Sequence, residues 1–107
     1  VQDLVQLKAL GEVEEERRRQ DSMWGTERSI PSGTSQGAWG LTAELLQRAC
    51  DNAFANKEGT WVHILQEEVY EVLAEEDPTK LQEELIQVAA VCVAWWEQLE
   101  KERIKED

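Results

Sequence analysis

From Pro78 to about Lys105 the chain carries one helical pattern whose apolar arc is very wide. At 100° per residue, Val91, Trp95, Val88, Leu81, Leu99, Cys92, Leu85, Trp96, Ala89, Val93 and Ile86 follow one another around it. An ordinary surface helix has one apolar stripe and an opposite charged face. A stripe this wide asks for cover on more than one side, at the centre of a bundle or across a subunit interface. Inside the arc, between Val91 and Trp95, falls a carboxylate, Glu84. A buried carboxylate is costly unless it is paired or neutralised. Its placement constrains both fold and chemistry.

The preceding helical pattern, about 61–76, repeats the anomaly. Its apolar arc holds Ile64, Trp61, Val72, Leu65, Val69, Val62 and Leu73, and Glu68 falls between Ile64 and Trp61. Glu71 and Glu75 lie at the edge of the arc on the same side, and Glu67 lies just outside it. Thr60 supplies an N-cap for this helix. Asp77-Pro78 ends it and starts the next, since Asp caps and Pro is tolerated in the first turn.

Two further helices precede this pair. Residues 3–22 carry Leu4, Leu7 and Leu10, then a charged stretch with Glu14–Arg18 and Glu15–Arg19 in the favoured acid-first i,i+4 order. Residues 41–56 place Leu41, Leu45, Ala49 and Ala53 along one side. Residues 25–40, rich in Gly, Ser and Thr and without periodicity, read as a long loop bracketed by Trp24 and Trp39. These two rings serve either as hydrophobic anchors or as a stacking surface for a base. No strand pattern competes. The expected class is all-α, a single domain over 1–107, with short connections that favour an antiparallel four-helix bundle.

Charge narrows the function. The 107 residues include 23 acids and 11 bases, for a net charge of −12. That balance argues against general affinity for nucleic-acid phosphates, which bind clustered Lys and Arg, or for an anionic membrane. The longest apolar run, Leu85 to Trp96, is too short for a span of about 20 residues. Cys50 and Cys92 sit singly among apolar neighbours, as small core residues of a reduced compartment do, although spacing alone leaves a bridge between them open. The start has no secretory pattern, so a cytoplasmic location is expected. His63 lies on the far side of its helix from Glu68, in an exposed or interfacial position rather than a catalytic one.

Two helices thus each aim a carboxylate into an apolar surface. Pairing with Arg17, Arg18, Arg19 or Arg48 would resolve that, and so would a hard divalent cation with oxygen ligands. The spacing is Glu67-Glu68-Val69-Tyr70-Glu71, then twelve residues, then Glu84-Leu85-Ile86-Gln87. It resembles the EExxE…ExxD signature of the MazG-like all-α nucleoside triphosphate pyrophosphohydrolases. The segment Arg19-Gln20-Asp21-Ser22-Met23-Trp24-Gly25 with the loop after it looks like short MazG-like proteins of actinobacteria and their phages.

The resemblance implies a four-helix unit that binds Mg²⁺, with Mn²⁺ as a substitute, through Glu67, Glu68, Glu71, Glu84 and the position of Gln87. It implies hydrolysis of a nucleoside triphosphate to a monophosphate and pyrophosphate, with Glu67 or Glu71 taking the water proton. Arg17, Arg18, Arg19 and Lys57 would then face phosphate, with Trp24 near the base, in a homodimer or dimer of dimers. One position departs from the pattern: Gln87 stands where the family has Asp, and its carbonyl carries no charge for a metal. That departure keeps a non-catalytic nucleotide- or protein-binding descendant in view. A third reading is an acidic structural or inhibitory helical protein that mimics nucleic acid; it needs its acids outward, where Glu68 and Glu84 are not.

Overall fold

A computed structural model describes residues 3–35 and 39–106. Among these the fold is all-helical, with α1 Leu4–Trp24, α2 Trp39–Ala55, α3 Trp61–Ala74 and α4 Pro78–Glu106. Residues 36–38, part of the expected loop, lie outside the described residues. No described helix is long and apolar enough to cross a membrane. The chain divides into two compact units. One is formed by α1, the segment to Pro31 and α4 from Val93 onward; the other runs Ser32–Cys92.

In the first unit, Asp3 caps α1 by accepting from the Val5 N–H at 2.8 Å. Gly25, in a left-handed conformation (φ 83°), closes it by donating to the Asp21 carbonyl. The helix therefore runs two residues beyond the expected Ser22, to the first residue that turns left-handed without strain. Arg18 pairs with Glu14 as the spacing foretold, whereas Arg19 pairs with Glu16, one turn position nearer than Glu15. Glu100 on α4 is 7% exposed and is held by Lys8 at 2.6 Å and Arg103 at 2.5 Å. Lys101 completes the set with Asp3 at 3.0 Å.

In the second unit α2 packs on α3. The face that α2 buries differs from the expected one. Ala43 and Cys50 are buried, with Thr42, Leu46 and Ala53 half-buried along the same side, while Leu41 (61% exposed), Leu45 and Ala49 look outward. Two apolar stripes compete on this helix, and the one with small residues wins because it lets the α3 backbone approach. Trp39 belongs to the helix rather than to the loop. Its indole meets the Tyr70 ring of α3 edge-on, 5.6 Å between centroids, a geometry that aromatic quadrupoles favour. Trp39 thus acts as an anchor. In the loop before it, Ser35 donates its N–H to the Leu73 carbonyl at 2.7 Å, satisfying one of the orphan acceptors at the end of α3.

The α2–α3 turn is a Schellman motif. Glu58 N–H donates to the Ala53 carbonyl and Lys57 N–H to the Phe54 carbonyl, with Lys57 left-handed at φ 63°. The left-handed position of the stop is therefore filled by a lysine. Gly59 has another reason to be there: a Cβ on it would lie 2.4 Å from the Phe54 ring. Thr60 then caps α3 as expected, and His63 completes a capping box, its Nδ1 accepting from the Thr60 N–H at 3.1 Å. That is a structural duty for the imidazole. The helix ends at Ala74, two residues early, because Glu75 is already extended ahead of the Asp77-Pro78 start of α4. Asp77 caps α4 by accepting from Lys80 N–H at 3.0 Å.

Only part of the wide α4 arc finds cover. Leu81, Glu84, Val88 and Val91 are half-buried, while Leu85, Ile86 (71% exposed), Ala89 and Cys92 are exposed. Cys92 is thus not a core residue as its neighbours suggested, and both cysteines are free thiols.

Candidate metal centre

The short α3–α4 connection brings three carboxylates together inside the second unit. Glu68 and Glu71, three residues apart on α3, fall on adjacent turns of one face, and Glu84 comes from the second turn of α4. One carboxylate oxygen from each lies within 4.8 Å of the others, and all three side chains are half-buried. This is the oxygen-rich geometry that suits a hard divalent ion.

The electrostatics are those of an uncompensated cluster. Burial raises the Glu68 carboxyl above its ordinary range, and the charges of Glu84 and Glu67 add to the effect. Burial pushes Glu71 up to about 7, reinforced by a hydrogen bond with Glu84 and by the charges of Glu68, Glu84 and Glu67. The buried Oε2 atoms of Glu68 and Glu84 have no hydrogen-bond partner. Among the described residues no ion pair reaches Glu67, Glu68, Glu71 or Glu84. Arg17, Arg18 and Arg19, which the sequence offered as partners, have acidic or amide partners within their own unit. Arg17 holds Asp21 and Gln20, Arg18 holds Glu14, and Arg19 holds Glu16. Arg48 is exposed.

Buried carboxylates whose oxygens lack donors, at mutual distances a single ion could bridge, fit a divalent cation. Glu68, Glu71 and Glu84 are the residues that would hold it.

Glu67 is half-buried next to Glu68 on α3, and burial followed by the proximity of Glu67 pushes the Cys50 thiol of α2 up to about 11. Gln87 is exposed. Trp24 is exposed as well, and Lys57 occupies the Schellman turn with its side chain in solvent. The sequence reading missed the Cys50–Glu67 proximity, because the α2 stripe it followed was not the one that packs. The signal lay in the spacing of Ala43, Leu46, Cys50 and Ala53.

Searches of protein-family models, of curated proteins and of solved structures find no match to this chain. What the centre can do rests on its residues.

Proposed function

We propose that this chain is a divalent-cation-dependent nucleoside triphosphate pyrophosphohydrolase of the MazG-like type, releasing a nucleoside monophosphate and pyrophosphate. The observation that carries the reading is the cluster of Glu68, Glu71 and Glu84 with its partnerless buried oxygens. Structural ion clusters bring their own cations, as Glu100 does with Lys8 and Arg103. This one brings none.

Mg²⁺ or Mn²⁺, when bound, would polarise a phosphate oxygen and lower the pKa of the attacking water. Glu68, Glu71 and Glu84 supply the ligand oxygens and hold them on two helices rather than on loops, which fixes their separation. Glu67 stands beside the ligand set and serves as the acceptor of the water proton as the new bond to the α-phosphorus forms and the bond to the pyrophosphate oxygen breaks. A panel of normal and modified (deoxy)nucleoside triphosphates with Mg²⁺ or Mn²⁺, scored for pyrophosphate release, tests the reading. No turnover across the panel refutes it.

Gln87 favours a second reading, a descendant that binds nucleotide without cleaving it. Its exposure agrees with a position released from metal duty. Calorimetry with cation and nucleotide separates the two: binding without turnover selects the second.

We further propose that the four helices belong to a MazG-type four-helix unit that acts in the cytoplasm as a homodimer or dimer of dimers. Support comes from the uncovered apolar positions of α2 and α4: Leu41, Leu45, Leu85 and Ile86. Each such side chain, once buried, contributes about 1.5–3 kcal/mol. Sedimentation at micromolar concentration checks this, and a clean monomer contradicts it.

A further inference from the structure

His63 is the single histidine of the chain. It occupies the place where a capping box ordinarily carries Glu or Gln. As the third residue of α3 it reaches back to Thr60. Its Nδ1 accepts from the Thr60 N–H at 3.1 Å and lies 2.8 Å from Thr60 Oγ1, while its own backbone N–H donates to that Oγ1 at 3.3 Å. Gln presents its acceptor oxygen at every pH, and Glu does so down to mildly acidic pH. An imidazole does not, because it takes up a proton on the very nitrogen that accepts.

We propose that the Thr60–His63 capping box is a proton-sensitive latch: neutral His63 closes the first turn of α3, and protonation at mildly acidic pH opens it. The inference goes beyond the hydrolase reading and does not depend on it. The turn it governs leads into Glu67, Glu68 and Glu71 of the same helix.

The bond from Thr60 N–H requires a bare lone pair on Nδ1, so the neutral ring carries its hydrogen on Nε2 while the box is closed. A proton arriving on Nδ1 sets N–H against N–H and releases the Thr60 donor to solvent. The charged ring can then only donate, to the Thr60 Oγ1 that already accepts from the His63 N–H. Its positive charge also falls at a helix N-terminus, where the macrodipole disfavours cations. Both effects favour an open turn. Imidazoles change charge between about pH 5 and 8, so the cap is present at the upper end of that range and lost toward the lower.

Neighbouring charges leave this balance to the cap itself. The charged groups on the elements around His63 are Arg48 and Asp51 of α2, Lys57 and Glu58 of the α2–α3 turn, and Glu67 one turn along α3. Glu84 of α4 joins the Glu68 face, far around the helix from His63. Among the described residues none forms an ion pair with the imidazole.

The full chain labelled with ¹⁵N tests the latch, since one histidine gives one set of ring signals. At pH 8 those signals should report the Nε2–H tautomer, with a scalar coupling across the hydrogen bond between Thr60 N and His63 Nδ1. At pH 5.5 that coupling should vanish. Ile64 makes the first backbone bond of the helix, to the Thr60 carbonyl. Protection of its amide against exchange, corrected for the intrinsic pH dependence, should fall about two- to fivefold between the two pH values, the scale of a lost cap. His63→Gln keeps an acceptor at both and should hold its protection, which also subtracts the titration of every other group, Glu71 included. His63→Ala should be poorly protected at both. An Nδ1–H tautomer at pH 8, or an equal fall of protection in His63→Gln, overturns the proposal. Nucleotide turnover enters none of these readouts, so failure of the hydrolase reading shows separately, as absent pyrophosphate release.

Discussion

Glu100 in the first unit and the Glu68–Glu71–Glu84 cluster in the second are carboxylates set against apolar surroundings and treated in opposite ways. In the first, Glu100 is the more buried, yet Arg103 and Lys8 hold its carboxyl down to about 2. In the second, burial and mutual repulsion lift Glu68 and carry Glu71 up to about 7. The contrast lies in the partners and not in the depth. Glu100 shows that this chain can neutralise a buried carboxylate with side chains of its own.

The largest effect expected is on catalysis. Glu68→Ala removes a ligand with a partnerless buried oxygen. Pyrophosphate release should fall by at least about a hundredfold, the upper loss seen for mere outer-shell partners of metal ligands. The matching change in the other unit, Glu100→Ala, should leave turnover per folded molecule within about threefold of the parent. Comparable activity losses in both would break the comparison.

Thermal stability gives the second contrast, with opposite signs against pH. Glu71 binds its proton more tightly in the folded chain than its ordinary value of 4.5 allows. The folded state therefore holds more protons between about 4.5 and 7, and metal-free stability falls as pH rises through that window. Glu100 is depressed from 4.5 to about 2, so its contribution is present above 4.5 and is lost as pH falls through 2. Mn²⁺ at about a hundred times its dissociation constant should add about 2.7 kcal/mol at pH 8, or about 10 °C in melting temperature. At pH 5, where Glu71 keeps its proton, the gain should shrink. Calorimetric scans at the two pH values with and without Mn²⁺ read both effects, and an equal shift at both would count against the raised Glu71.

A smaller contrast comes from charge removal without loss of shape. In metal-free protein at pH 8, Glu71→Gln should stabilise by about 1 kcal/mol, after allowance for solvent screening of a partly exposed group. Glu100→Gln should lower the melting temperature under the same conditions. If both variants destabilise, the cluster is not electrostatically frustrated.

The smallest effect sharpens the role of Lys57. Its left-handed backbone disfavours any side chain, so Lys57→Gly should raise stability by about 0.5–1 kcal/mol in denaturant titrations. Turnover should be unchanged if the residue serves the Schellman turn alone, and lowered if its ammonium faces phosphate.

Much of this was legible in the sequence. The helical periods, the Thr60 and Asp77 caps and the absence of a strand pattern follow from local chemistry, which needs only near neighbours along the chain. Glu68 and Glu84 were legible for the same reason, since a carboxylate inside an apolar arc shows on a wheel without any partner helix. Glu71 followed from its place at the edge of that arc. Gln87, by contrast, entered only through resemblance, and it stands exposed.

Sequence alone therefore determined four helices and the inward placement of Glu68 and Glu84, because periodicity and capping are properties of a single segment, while Glu100, the most buried carboxylate, was not singled out. Tertiary structure decided what those faces meet. It chose the Ala43–Cys50 stripe of α2 over the leucine stripe, since close approach of backbones outweighs side-chain size there. It brought oxygens of Glu68, Glu71 and Glu84 together without Glu67, and it gave Glu100 two cations while, among the described residues, giving Glu68 and Glu84 none. Those choices depend on distances between segments far apart in the chain, and no single helix carries them.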